Sequence, residues 1–172
     1  MNIPTLLSLS RIFIAIPVFI LTALGEKYFI AALIVFIVAS LTDLFDGLIA
    51  RKKGQVTDLG KFLVQISDKI LINSTFIALL TTGNIPGWFV ASIVGRDTYV
   101  SGLRMFLASK DIIIPADILG KIKTVLEIVL IVLIYLQLWN ILSNILLYLT
   151  LIISLVSAAN YTIKNLKAFT EA

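Results

Sequence analysis

Three aspartates and two arginines interrupt long apolar runs: Asp43, Asp46 and Asp68, followed by Arg96 and Arg104. Ionisable residues inside such runs are costly and mark function. At about 100° per helical residue, Asp43 and Asp46 lie about 60° apart, with Gly47 and Ala50 close to the direction of Asp43. One helix face then carries two carboxylates beside two residues with almost no side chain, where a ligand or another helix can approach the backbone. In the next apolar run Gly60, Val64 and Asp68 are spaced by four and share a face. Carboxylates from two adjacent helices can hold one or two hard cations, and such a centre clamps a phosphate. Arginine recognises phosphate through paired hydrogen bonds. The constellation points to phosphate chemistry with a nearby lipid as one substrate.

What is missing narrows the chemistry. The chain has no histidine and no cysteine. Disulfides, thiolate metal sites and cysteine nucleophiles are excluded. Any metal must be held by oxygen, which selects Mg²⁺, Mn²⁺ or Ca²⁺. The commonest general base and the commonest transition-metal ligand are absent with histidine.

These residues need elements to position them. Of 172 residues, 59% are hydrophobic and 14% charged, against roughly 25% charged in soluble domains. Mean hydropathy is +1.05. Such a chain is too apolar to cover itself with polar surface, so lipid is its natural solvent. The expected fold is all-α: an integral membrane bundle of six transmembrane helices in a single domain, 1–172. The spans fall at about 6–24, 28–49, 61–81, 86–107, 118–138 and 141–163, each near the roughly 20 residues a crossing needs. Short connections make consecutive helices antiparallel neighbours. Pro17 marks a kink and Pro86 a helix start. The N-terminus lacks the basic segment and cleavage site of a signal peptide, so the first span is read as retained.

Orientation follows from basic residues. One set of connections carries Lys27 alone, offset by Glu26. The other carries Arg51, Lys52, Lys53, Lys61, Lys110, Lys121 and Lys123, with Lys164 and Lys167 in the tail. Both termini and the candidate site therefore face the cytoplasm. The net charge of +4 suits anionic lipid, and nucleic acid is not an expected partner. Trp88 and Trp139 fall at the opposite interface as anchors. Asp97 either orients Arg96 or packs helices together, and Glu127 either pairs with a lysine or faces the cavity. A cation transporter also places carboxylates in membranes, but this chain shows neither paired repeats nor broken helices.

Read as one string, Asp43-Leu-Phe-Asp46-Gly47-Leu-Ile-Ala50-Arg51, eight residues, then Gly60-Lys-Phe-Leu-Val64-Gln-Ile-Ser-Asp68, the segment resembles the signature of the CDP-alcohol phosphotransferases. That pattern is Asp-x-x-Asp-Gly-x-x-Ala-Arg, about eight residues, Gly-x-x-x-Asp-x-x-x-Asp. Seven of its eight fixed positions match. Three further stretches resemble a bacterial subgroup, the phosphatidylglycerophosphate synthases: Asn2 to Arg11, Gly95 to Arg104, and Leu119 to Thr124. The last two helices carry no further motif and read as scaffold.

The resemblance implies a six-helix enzyme of the bacterial inner membrane, commonly a homodimer. It would transfer a phosphatidyl group from CDP-diacylglycerol to glycerol 3-phosphate and release CMP. Asp43, Asp46 and Asp68 would ligate Mg²⁺ or Mn²⁺, with Asp68 also the general base. Gly47, Ala50, Arg51 and Gly60 would line the CDP pocket, and Asn2 and Thr5 would touch the nucleotide. Arg96, Arg104, Lys121 and Lys123 would hold the acceptor's phosphate. Serine, inositol and phosphatidylglycerol are the alternative acceptors in similar families. One position departs. The pattern asks for aspartate at 64, and Val64 cannot ligate a metal. The expectation is a weakened or single-metal site, or a non-catalytic relative that still binds nucleotide or lipid.

Overall fold

The computed structural model describes residues 3–53, 58–110, 112, 118–138 and 141–166. Six helices follow one another: α1 (Ile3–Ala23), α2 (Phe29–Lys53), α3 (Asp58–Thr81), α4 (Gly87–Ala108), α5 (Ile118–Tyr135) and α6 (Ile141–Lys164), with a 3-10 turn at Glu26–Tyr28 between α1 and α2. Among the described residues there is no strand. The all-helical reading holds, and the chain forms two compact units, Met1–Ile85 and Pro86–Ala172.

In the first unit α1 packs along both α3 and α2, and α2 and α3 also touch. The face of α1 that becomes buried is Arg11, Ala15, Val18 and Thr22, spaced four, three and four. That spacing keeps one stripe of a helix against its neighbours. Ala32, Phe36 and Ala39 of α2 and Leu71, Thr75 and Ala78 of α3 repeat it. Buried hydroxyls are satisfied within their own helices: Thr22 donates to the Val18 carbonyl at 2.7 Å and Thr75 to that of Leu71 at 2.8 Å.

Two boundaries differ from the sequence reading. The second helix runs on through Arg51 to Lys53 rather than stopping near 49, because alanine, arginine and lysine are strong helix formers and no glycine follows position 49 until Gly54. The fifth helix stops at Tyr135 instead of 138. Its end is a Schellman arrangement in which Leu138 N–H donates to the Leu133 carbonyl and Gln137 N–H to that of Ile134. Gln137 sits in the left-handed region at φ 55°, where glycine is normally preferred. The same closure at the end of α3 uses Gly83, at φ 76°, with Asn84 N–H donating to Leu79 and Gly83 N–H to Leu80. Pro86 then starts α4 as expected, in an extended conformation just before its first turn.

In the second unit α6 packs on both α4 and α5. Trp88 stacks on Tyr148, Arg96 bonds Ser154 and Ser157, and Arg104 lies over Tyr161. These pairings ascend both chains together, so α4 and α6 are parallel. The stripe of α6 that is buried reads Ser143, Leu147, Thr150, Ser154, Ser157 and Tyr161. Its opposite face exposes Ile145, Leu149, Ile152 and Val156. Small and polar side chains inside with branched apolar ones outside is the pattern of a helix solvated by lipid, where small residues let backbones approach. Among the described residues α6 alone is long and apolar enough to cross a membrane, at a mean hydropathy of 2.2 over 18 residues.

Candidate functional site

The carboxylates belong to the first unit. Asp43, Asp46, Gly47, Ala50 and Arg51 lie on the last third of α2, and Gly60, Val64 and Asp68 on the first half of α3. At 1.5 Å per residue, Asp43 lies about 15 Å back from the end of α2 and Asp68 about 15 Å on from the start of α3. By the same count Asp46 and Val64 lie about 10 Å and about 9 Å from those ends, and Ala50 and Gly60 within about 5 Å. The two helices touch, as expected of neighbours joined by a short link.

Only part of this set has described side chains. Asn2 lies outside the described residues, as do the side chains of Thr5, Asp43, Asp46, Gly47, Ala50, Arg51, Gly60 and Val64. Asp68 is half-buried next to a fully buried Ser67. Both take part in polar or electrostatic contacts. Among the described residues no three metal-ligating side chains cluster, and two of the three candidate ligands fall outside that set. Sequence reasoning gave Arg11 no role, yet it is 1% exposed and is also engaged by its surroundings. A permanently charged guanidinium in an otherwise apolar helix was the signal available.

The basic residues belong to the second unit, and they separate. Arg96 is buried and all three sides of its guanidinium are used. Nε donates to the Ser154 carbonyl at 3.1 Å, one terminal nitrogen to Asp97 Oδ1 at 2.8 Å and the other to Ser157 Oγ at 2.8 Å. Lys123 Nζ reaches the same Asp97 oxygen at 2.5 Å and pairs with Glu127 at 2.9 Å, one turn further along α5. All four charged side chains are at most 9% exposed. Two cations and two carboxylates make this quartet neutral, as a buried ionic cluster must be. Of the two roles open to Asp97, it fills both: it orients Arg96 and ties α4 to α5. Glu127 pairs with a lysine.

Arg104 and Lys121 are not drawn into the quartet. Lys121 is exposed. Arg104 is half-buried and lies over the Tyr161 ring, 5.2 Å from guanidinium carbon to ring centre. The sixth helix, read from sequence as scaffold, therefore supplies partners to both arginines of α4. Ser143, Thr150, Ser154 and Ser157, spaced seven, four and three along one helix face, were the legible sign.

The family model for CDP-alcohol phosphatidyltransferases matches residues 1–156. The chain belongs to this family. Among relatives of this phosphatidyltransferase, the CDP-diacylglycerol–glycerol-3-phosphate 3-phosphatidyltransferase of Bacillus subtilis is 37% identical over 142 residues, covering 74% of this chain and 73% of the relative. The enzyme of the same name from Rickettsia bellii is 41% identical, covering 73% and 70%. A probable phosphatidylglycerophosphate synthase of Mycobacterium tuberculosis is 38% identical, covering 74% and 63%. The matched span takes in the carboxylate helices, the quartet and most of α6, and so includes every motif read from the sequence.

Proposed function

We propose that this CDP-alcohol phosphatidyltransferase transfers the phosphatidyl group of CDP-diacylglycerol to glycerol 3-phosphate, giving phosphatidylglycerophosphate and CMP. The observation that carries the reading is the seven-position signature, on two helices that touch, in a chain similar to enzymes named for that reaction.

The acceptor hydroxyl attacks the phosphorus that carries diacylglycerol. The bond from that phosphorus to the bridging oxygen breaks, CMP leaves, and the hydroxyl proton passes to Asp68. A carboxylate is the available acceptor in a chain without histidine. The all-oxygen donor set fits a hard divalent cation. Asp43, Asp46 and Asp68 would hold Mg²⁺ or Mn²⁺, which supplies neutralisation of the pyrophosphate. Gly47, Ala50, Arg51 and Gly60 would line the CDP pocket, and Asn2 and Thr5 would touch the nucleotide, as the family resemblance implies. Arg104 and Lys121, the basic residues of α4 and α5 outside the quartet, are the candidates to hold the acceptor's phosphate.

The six helices are read as six passes through a bacterial inner membrane, with the site on the cytoplasmic side and a second copy completing a homodimer. The lysine asymmetry supports that orientation. Polar residues make α2, α3 and α4 less apolar than α6, and α5 carries Lys121, Lys123 and Glu127, as expected of helices that line a site rather than face lipid alone.

The test is CMP release from CDP-diacylglycerol by purified protein in lipid nanodiscs, with glycerol 3-phosphate, serine, inositol and phosphatidylglycerol compared as acceptors. Release that needs glycerol 3-phosphate and stops with EDTA supports the reading. Release driven equally by serine or inositol sinks the acceptor assignment. Val64 favours a second reading, a relative that binds CDP-diacylglycerol with little turnover; binding without CMP release, restored to turnover by Val64→Asp, identifies that case.

A further inference from the structure

We propose that Arg11 is the resident counter-cation of the signature carboxylates, so that the site this chain carries reaches neutrality with a single divalent ion. The inference rests on the reading of Asp43, Asp46 and Asp68 as metal ligands of a phosphatidyltransferase, and it gives a role to a buried cation that this reading leaves unused.

The side chain of Arg11 is 1% exposed and engaged by its surroundings. Its guanidinium cannot be deprotonated in a protein, and a charge taken out of water is costly unless an opposite charge meets it. The first unit holds five carboxylates: Glu26, Asp43, Asp46, Asp58 and Asp68. Glu26 is exposed and follows the far end of α1, about 22 Å along the axis from Arg11. Asp58 is the first residue of α3, about 15 Å before Asp68 and about 80° around the helix from it. The three that remain are those of the signature.

Helical register brings the same three forward. The buried stripe of α1 is Arg11, Ala15, Val18 and Thr22, and that of α2 is Ala32, Phe36 and Ala39. Continued at the same steps of four and three, the α2 stripe passes through positions 43 and 46, both aspartate. On α3 Ile72, Phe76 and Leu79 are buried, and one step of four back from Ile72 is Asp68. Helix α1 packs on both of the others. The chain turns back between α1 and α2 at Gly25 and the 3-10 turn, where Gly25 N–H donates to the Thr22 carbonyl and Tyr28 N–H to that of Gly25. Counted from that turn at 1.5 Å per residue, Arg11 lies about 18 Å along α1, and positions 39 and 43 about 15 Å and about 21 Å along α2. The buried cation of α1 thus comes level with the turn of α2 that leads into the first signature carboxylate.

The charges then sum to zero. Three aspartates are balanced by one guanidinium and one divalent ion. An aspartate at position 64 would leave one negative charge over and favour a second ion; Val64 adds none. Such a balance matters because charges attract and repel far more strongly away from water.

The experiment counts Mn²⁺ bound to the full chain in nanodiscs of zwitterionic lipid by electron paramagnetic resonance, with melting curves taken in EDTA and in saturating Mn²⁺. The wild type should bind one Mn²⁺ per chain, and Val64→Asp a second. Arg11→Met removes the cation and keeps an unbranched apolar stem. Its melting temperature should fall in EDTA and recover most of that loss in Mn²⁺. It should also bind Mn²⁺ about tenfold tighter or more, because a repelling charge has left the site. Arg11→Lys keeps the charge and should keep wild-type Mn²⁺ affinity. An Arg11→Met chain that folds only with Mn²⁺ present is the extreme of the same result and supports it. A loss equal in EDTA and in Mn²⁺, or a chain that folds in neither, makes Arg11 a packing residue and overturns the proposal while the metal site stands. Two Mn²⁺ on the wild type overturn the charge balance. No Mn²⁺ on either the wild type or Val64→Asp overturns the metal-dependent transferase reading itself, and this inference with it.

Discussion

Removing one charge from the buried quartet should destabilise the second unit more than any other single conservative change. In Asp97→Asn the cluster goes from neutral to one net positive charge, and the oxygen that receives both Arg96 and Lys123 loses its charge. Breaking a buried ion pair from one side costs about 3–5 kcal/mol. For a chain of this size that corresponds to a fall in melting temperature of roughly 6–20 °C. Lys123→Met should cost a similar amount, since it leaves one net negative charge. The double variant restores neutrality, with Arg96 facing Glu127 in place of the full set. Its cost should fall short of the sum of the singles by about 1–3 kcal/mol, the coupling expected within one network. Thermal unfolding in detergent micelles, followed by circular dichroism at low and at 1 M salt, measures all three. The singles should respond little to salt, because buried pairs are weakly screened. Additive costs, or an Asp97→Asn penalty below about 1 kcal/mol, would refute the view that these four charges are held in a dry, mutually compensating cluster.

Other outcomes follow from the same structure. Val64→Asp should raise metal-dependent CMP release by orders of magnitude and lower the Mg²⁺ concentration needed; equal turnover of both proteins at saturating Mg²⁺ would show that position 64 is not a ligand position. At the helix ends, Gly83→Ala should destabilise by about 1 kcal/mol through its left-handed backbone alone, since an added Cβ meets nothing within 4 Å. Gln137→Gly should stabilise by up to about 1 kcal/mol for the converse reason, and paired melting curves test both.

Much of the fold was legible because it depends on one-dimensional patterns. Apolar runs of about 20 residues broken by Gly, Pro and Asn mark helices whatever their partners, and the six expected segments match six observed helices within a few residues. The boundaries that moved did so for local reasons: strong helix formers carried α2 to Lys53, and a glutamine accepted a left-handed conformation to end α5 early. The carboxylate pattern is of the same one-dimensional kind: a helical repeat puts Asp43 and Asp46 about 60° apart on α2 without any long-range information.

The fate of the basic residues was not legible. In the sequence Arg96, Arg104, Lys121 and Lys123 are four equivalent cations near a phosphate site. Only tertiary structure divides them, because whether a cation is available depends on which carboxylate another helix brings within about 3 Å. Asp97 and Glu127 pair with Arg96 and Lys123, while Arg104 lies over the ring of Tyr161, nearly sixty residues away, with no ion pair among the described residues. Helical periodicity determines which side chains share a face; the packing of α6 against α4 decides which of them still has a donor to offer.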